Sequence, residues 1–390
     1  MVTIAGNGMG AYDFTNLELN FCNYDKIICD PNFIENGRTI LKLKFKDAKE
    51  YILQNYKKEN ILYVVTGSPL FFSAGTLIAN KLPKEEVKIV NNISSKTYLL
   101  EKLFISENDV SVISIHGRKN IDLCEFMNKK YTFVLCDKYS INRLQEAMQF
   151  FEEEFITTNI AYKLGFKDEI IEEVNIFNFD ENRFDLKEPF VLLIKRNYEH
   201  KKNVCDDLEF ETERGMITKK YKRHLSLQNL DLEENNILWD IGAGSGSCGI
   251  EAYKRYKVKT IFFEKNETRV EFIKENLKNH HVCDCKLYIG QAEEIYPTLE
   301  QNPQRIFVGG GGKMVIDTLP YLYERLDVNG IMLINAITLK HLSQMIEVLN
   351  KAKIEYDTHS ISLTTYKGVL DLVEPERQLF QIKIYKNEEK

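Results

Sequence analysis

No window of this chain carries the roughly 18 consecutive apolar residues that a membrane-crossing helix needs, so a helical span is not expected. The opening residues, MVTIAGNGMG, have neither a charged leader nor a long apolar stretch. They read as a strand entering a turn rather than a secretory signal, and a cytoplasmic location is expected. Regular cysteine spacing is missing as well. The 8 cysteines are scattered through predicted strands and helices, without the repeats of a disulfide framework or a zinc ribbon, and read as reduced thiols. The one close pair, Cys283 and Cys285, has no second ligand pair nearby, so a structural role is preferred and no metal is expected. Excess positive charge is also absent: the net charge of −6 argues against a broad nucleic-acid surface, while leaving room for a local basic pocket.

What is present is a globular composition, 44% hydrophobic and 28% charged, over 390 residues, more than one ordinary core holds. Two domains are expected, at 1–199 and 205–390. PFVLLIK reads as a last buried strand, and the polar stretch RNYEHKKNVCDD follows it as a linker near residue 200. Both halves are α/β. Downstream, NILWDIG, TIFFEKN, CKLYIGQ, RIFVGGG and IMLINAI alternate with helical patterns, and YDTHSISLT and FQIKIYK close the sheet. Five parallel strands with a reversed terminal pair predict a doubly wound Rossmann-like sheet, with ligands at the carboxyl ends of its strands. Upstream, strands entering glycine turns, then YTFVLC, EFITTNIAYKL and FVLLIK, predict two subdomains joined near Asp109 with a cleft between them.

The most informative stretch is WDIGAGSGSCGIE, Trp239 to Glu251. Gly242, Gly244 and Gly246, with Ala243 and Ser245 between them, turn sharply and bring bare backbone close to a ligand, where a Cβ would collide. Asp240 closes the strand and can hold the turn. Glu264 ends the next strand at roughly the 20-residue offset where a carboxylate meets a ribose. The third glycine comes too early for the dinucleotide fingerprint. The alternative is a glycine-rich turn with no ligand.

This glycine pattern with a downstream Glu resembles a class I S-adenosylmethionine (SAM) methyltransferase. That resemblance implies that Gln291 and Ala292 lie at the adenine, with Glu293 the lesser candidate, and that SAM is the cofactor. In the upstream half, Gly6-Asn7-Gly8-Met9-Gly10 and Gly67-Ser68-Pro69-Leu70-Phe71-Phe72 resemble the cofactor loops of the tetrapyrrole (class III) methyltransferases. The Ser94-Ser95 pair and Ile115-His116-Gly117-Arg118 match members acting late in corrin-ring construction, those that methylate carbon 5. Met9 and Ser68 stand where that family has proline and aspartate, which removes a fixed turn and a negative charge. In the downstream half, Gly215-Met216-Ile217-Thr218-Lys219, the glycine loop and Phe307-Val308-Gly309-Gly310-Gly311-Gly312 resemble the decarboxylating methyltransferases that act at carbon 15. The order of halves is that of the fused C5,C15 methyltransferases.

The resemblance implies a polycarboxylate corrinoid substrate of the precorrin-6B type, with or without cobalt, and a homo-oligomer. Its carboxylates need cationic donors around an apolar cleft. The candidates are Arg118, Lys219 and Arg223, with His116 either a polar contact in the cleft or a satisfied strand-end histidine. Lys220, Lys222 and Lys201-Lys202 read as solvated faces. Gly309, Gly310, Gly311 and Gly312 read as a floor beneath the reacting ring or as a permissive turn. Rival readings are activity confined to the downstream half, methylation of another acceptor such as tRNA, and a SAM-binding scaffold without turnover.

Overall fold

The computed structural model describes residues 1–14, 16–34, 39–117, 126, 128–200, 205–309, 313–369 and 372–387. The chain divides into two compact units. One lies within Met1–Lys119, Lys129–Ile141 and Thr157–Lys195, the other within Asn120–Asn128, Asn142–Ile156 and Arg196–Lys390. The sheets thus separate near residue 200, while residues 142–156 group with the second unit: the Asp284 amide donates to the Ala147 carbonyl at 2.8 Å.

The first unit holds two five-stranded sheets. In the first sheet the strands are β1 (Val2–Gly6), β2 (Lys26–Cys29), β3 (Leu41–Lys42), β4 (Ile61–Val65) and β5 (Val87–Val90), in the order β3-β2-β4-β1-β5 and all parallel. Every residue of β1 and β4 is buried, as strands covered on both faces must be. The second sheet contains β6 (Val110–Ser114), β7 (Tyr131–Leu135), β8 (Ile156–Tyr162), β9 (Ile170–Val174) and β10 (Phe190–Arg196), in the order β6-β7-β10-β8-β9. The stretch EFITTNIAYKL is thus a strand only as far as Tyr162. Lys163 at φ 50° and Gly165 at φ 81° then turn the chain.

The second unit is built on a seven-stranded sheet of order β13-β12-β11-β14-β15-β19-β16. Its first five members in chain order are β11 (Ile237–Ile241), β12 (Lys259–Glu264), β13 (Lys286–Ile289), β14 (Arg305–Val308) and β15 (Ile331–Ala336), all parallel. β16 (Asp357–Ile361) precedes a hairpin, β17 (Thr364–Lys367) with β18 (Leu372–Pro375). β19 (Leu379–Tyr385) runs antiparallel to both β15 and β16. Only β19 is therefore reversed; β16 returns to the direction of the five. Alternation along β11 sends Trp239 and Ile241 to one core, with Phe263 and Tyr296, and Leu238 to the other, with Cys248, Ala252 and Phe307. A sheet buried on both faces presents its strand ends as the accessible edge. Among the described residues no helix is long and apolar enough to cross a membrane.

Candidate functional site

At the carboxyl end of β11 the backbone turns left-handed three times, at Gly242 (φ 69°), Gly244 (φ 63°) and Gly246 (φ 75°). A side chain rarely tolerates such angles, which is why this short segment is written in glycine. The amides of Gly242 and Ala243 both donate to the Phe263 carbonyl at 3.0 Å, and the Gly246 amide closes the turn on the Ala243 carbonyl at 2.8 Å. Gly246 then caps the helix Ser247–Tyr256, whose open amides face the loop. From the adjacent helix Glu267–Asn279, buried Asn276 donates to the Ser245 carbonyl at 2.8 Å and so clamps the turn from outside.

Glu264, at the end of β12, accepts the Gly244 amide at 2.8 Å on one oxygen and the Lys265 and Asn266 amides at 3.0 Å on the other. A carboxylate offers about four lone-pair positions, so three amides leave room for one more donor. The Gly290 amide, bonded to the Glu264 carbonyl at 3.0 Å, brings the end of β13 alongside. Gln291 follows, half-buried, with its side chain making no cap bond, and Ala292 is buried behind it. Glu293 keeps a buried carboxylate oxygen without a hydrogen-bond partner. Gly309 closes the row, its amide on the Ile241 carbonyl at 3.0 Å. Gly310, Gly311 and Gly312 lie outside the described residues.

Asp240 points under the helix and accepts the Gly249 amide at 3.0 Å, while its other oxygen has no partner. Burial pushes its carboxyl up to about 7, and the nearby Glu264 charge adds to the rise. An unfolded aspartate titrates near 3.9, so between about pH 4 and 7 the folded chain binds the proton that the unfolded chain has lost. The stability this contributes is full below the unfolded value and is lost as pH rises through about 7. Asp240→Asn lacks the titration. Its stability relative to the parent chain is expected to improve from pH 4 to 7 and then level, as read by chemical denaturation; a difference that stays flat across that window would contradict the assignment.

The cationic candidates separate. Lys219 is half-exposed, 3.7 Å from Asp207. Arg223 is a correction to the expected substrate anchor: it is fully buried and its fork is committed to internal partners. Its Nε donates to Glu251 at 2.6 Å, one terminal nitrogen to Asp207 at 3.0 Å and to the Thr218 carbonyl at 2.6 Å, the other to the Cys205 carbonyl at 2.7 Å. A guanidinium so engaged fastens the Thr218–Lys219 segment to the loop helix instead of reaching solvent. Lys222, expected on a solvated face, is also buried, with Glu376 at 2.8 Å and the Arg377 carbonyl at 2.6 Å. Lys220 is partly exposed beside Asp206. Arg118, Lys201 and Lys202 lie outside the described residues.

In the first unit the two glycine loops meet. Gly8 and Gly67 form an antiparallel bridge, with amide–carbonyl distances of 3.1 and 2.8 Å. A Cβ at Gly6 would stand 2.3 Å from the Gly67 carbonyl oxygen and 2.7 Å from Cδ of Pro69. Ser68 is buried; its hydroxyl donates to Asn91 at 2.6 Å and accepts the Leu70 amide at 3.1 Å. Asn92 donates to the Gly6 carbonyl at 3.0 Å. Ser94 caps the helix Ser95–Leu103 by accepting the Thr97 amide at 3.1 Å, whereas Ser95 faces a cavity of about 510 Å³. Met9, Gly10, Tyr12, His116 and Phe166 share its wall. Gly165, Asn91, Asn92, Glu251 and Asn276 escaped the sequence reading; the Asn-Asn pair directly after β5 is a turn signal that would have flagged two of them.

Chains of known type resemble this one. The family described as precorrin methyltransferase domain matches residues 209–386, and the tetrapyrrole (corrin/porphyrin) methylases match residues 26–180. A precorrin-6Y C(5,15)-methyltransferase [decarboxylating] from Sinorhizobium sp is 26% identical over 299 residues, 71% of this chain and 68% of that protein. A probable cobalt-precorrin-6B C(15)-methyltransferase (decarboxylating) from Methanococcus maripaludis is 31% identical over 138 residues, 34% of this chain and 75% of that protein. A crystal structure of precorrin-6y C5,15-methyltransferase from Geobacter metallireducens aligns at 29% identity and a TM-score of 0.46, covering 48% of this chain and 100% of that one.

Proposed function

This chain belongs to the decarboxylating precorrin methyltransferases, and from that premise we propose that it methylates a precorrin-6Y-type macrocycle at ring carbons 5 and 15 and removes one carboxyl as carbon dioxide. The observation that carries the reading is the presence of two separate glycine-turn sites, one per unit: Gly242, Gly244 and Gly246 lie within the span matched by the precorrin methyltransferase domain, and Gly67 lies within that of the tetrapyrrole methylases, bridged to Gly8 ahead of it. The first unit is assigned carbon 5, the second carbon 15 and the decarboxylation.

SAM supplies an activated sulfonium methyl. The residues of the second unit fit it: three left-handed glycines present bare backbone at alternate positions of the turn, and Glu264 keeps one lone-pair position for a ribose hydroxyl. Gln291 and Ala292 are assigned to the base, Gly242 to Gly246 to the rest of the cofactor, and Gly309 to the floor beneath the acceptor ring. Thr218 is assigned to the same cofactor and half-exposed Lys219 to a substrate carboxylate. In the first unit Gly6, Gly8, Gly10, Gly67, Ser68 and Pro69 are assigned to the cofactor loops. The chemistry asked of these side chains is alignment, because the acceptor carbons are enamine-like and attack without a strong base; orientation alone supplies about 7–11 kcal/mol in favourable cases. Glu264→Ala removes a charge-assisted bond worth about 1.5–3 kcal/mol. The SAM concentration for half-maximal decarboxylation is expected to rise roughly 10- to 150-fold, and an unchanged value would remove Glu264 from the site.

The test is mass spectrometry of reduced precorrin-6, metal-free and cobalt-loaded in parallel, after incubation with the full chain and SAM. Two methyls gained with one carbon dioxide lost supports the reading and identifies the preferred substrate. One methyl with decarboxylation restricts activity to the second unit, and an unchanged substrate in both arms overturns it. A cytoplasmic homo-oligomer goes with this reading, and light scattering of the purified chain tests the assembly.

A further inference from the structure

We infer that His116 is the base that takes the proton from ring carbon 5, an inference that rests on the assignment of C5 methylation to the first unit. His116 follows β6 and lines the 510 Å³ cavity. Its Nδ1 lies 3.0 Å from the Cys136 carbonyl oxygen. A carbonyl only accepts, so Nδ1 carries the hydrogen, and in the neutral ring Nε2 is left with the lone pair. The backbone of β7's continuation thus fixes the tautomer that a proton acceptor requires.

The other ionisable groups on that wall are less suited. Asp137 spends one oxygen on the Gly117 amide at 2.7 Å and the other on the Tyr139 amide at 2.9 Å and the Ser140 hydroxyl at 3.1 Å. Glu188 lies 3.8 Å from the Lys163 ammonium. The Cys136 thiol donates to the Val134 carbonyl at 3.4 Å. Burial, with the charges of Asp30 and Glu188, raises the Tyr12 phenol above its ordinary value and keeps it protonated. Lys138 and Lys187 are cations and suit substrate carboxylates.

The step balances without a further reactant. A π-electron pair of the ring forms the bond from carbon 5 to the methyl, while the sulfur–methyl bond breaks with its pair onto sulfur and yields the neutral thioether. Carbon 5 then carries both methyl and hydrogen on a cationic ring. Its C–H pair returns to the ring, restoring conjugation, and the proton passes to Nε2 of His116, which becomes imidazolium. Methyl transfer itself needs no base; completing the substitution does, and a positioned base contributes about 10²- to 10⁴-fold.

The full chain supplies its own reference, because methylation at carbon 15 and decarboxylation occur in the other unit. His116→Asn keeps a donor for the Cys136 carbonyl and removes Nε2. With SAM and reduced precorrin-6, its C5 methylation is expected to fall about 100-fold while decarboxylation keeps the parent rate. In His116→Ala, free imidazole is expected to restore part of the C5 rate. A second readout needs no turnover: with S-adenosylhomocysteine in deuterated water, the parent chain exchanges the hydrogen of carbon 5 and His116→Asn exchanges it more slowly. C5 methylation at the parent rate in His116→Asn overturns the assignment, and so does an alanine variant that imidazole does not rescue. A parent chain that never methylates carbon 5 overturns the underlying reading and the inference together.

Discussion

Gly10→Ala is expected to abolish methylation at carbon 5, by 100-fold or more on the order-of-magnitude scale of a misplaced reacting centre, while leaving decarboxylation intact. The added Cβ would lie 1.9 Å from the carbonyl oxygen of Gly165 and 2.4 Å from its carbonyl carbon. That neighbour is backbone, so no rotamer change relieves the overlap. Gly165 itself is at φ 81° and packs its Cα face against Gly10, which stands at φ 80°. Each glycine therefore answers the other, and together they let the first loop touch the turn after β8 beside Met9, Leu164 and Phe166 on the cavity wall. Forcing them apart opens the cavity whose wall His116 shares. The comparison is Gly117→Ala, where φ is 66° but nothing lies within 4 Å of the new methyl. Only the backbone angle is at stake there, and a cost of about 1 kcal/mol with C5 methylation preserved is expected. Product mass separates the outcomes: one methyl with loss of carbon dioxide for Gly10→Ala, two for Gly117→Ala. Two methyls from both variants would mean that the loop contact does not shape the site.

That pair also marks the limit of what the sequence carries. Gly10 was legible, since a strand followed by alternating glycines is a local signal. Its partner was not, because Gly165 lies 155 positions further along the chain, directly after a stretch that reads as strand, and no periodicity links the two. The same division holds in the second unit. Gly242, Gly244 and Gly246 are left-handed as their spacing demands, and Glu264 stands at their side because parallel pairing aligns the ends of β11 and β12. Asn276, which ties down Ser245 from a helix, lies on that helix's buried stripe with Val270, Ile273 and Leu277, and its spacing gives no hint of the carbonyl it holds. The cationic stretch KKYKRH was misleading for a definable reason. Charge density suggests a solvated face at Lys220 and Lys222 and a substrate anchor at Arg223, yet Arg223 stands three, four and seven residues before Ser226, Leu227 and Leu230, all buried. That interval is the inner stripe of a helix, and it outweighs the charge when a carboxylate waits on the other side. Gly309 was placed correctly at a strand end, but its φ is not left-handed, so close backbone approach and not turn geometry is what the residue supplies: a Cβ there would meet the Phe307 ring at 3.0 Å.

The carboxylate that waits for Arg223 is Glu251, and its removal should produce the largest stability loss in the second unit. Both side chains are fully shielded from solvent, at 2.6 Å. Glu251→Ala leaves a guanidinium buried with its best partner gone, for which about 3–5 kcal/mol is typical. In a unit of this size the expected fall in Tm is on the order of 10 °C. The loss has a functional side. Arg223 holds the Thr218 carbonyl with one nitrogen and, through Glu251, the helix that begins at Gly246 with another. Loosening that strut lets the Thr218–Lys219 segment drift from the glycine turn, so the KM for SAM in decarboxylation should rise together with the instability. Removing both charges tests whether the unpaired ion or the missing contact matters. Arg223→Leu combined with Glu251→Leu fills the space without burying a charge and should recover much of the Tm. The KM defect should remain, because leucine cannot hold a carbonyl. If the double variant is no more stable than Glu251→Ala, the penalty lies in packing; if its KM is normal, Arg223 does not position the segment and the glycine turn stands without it.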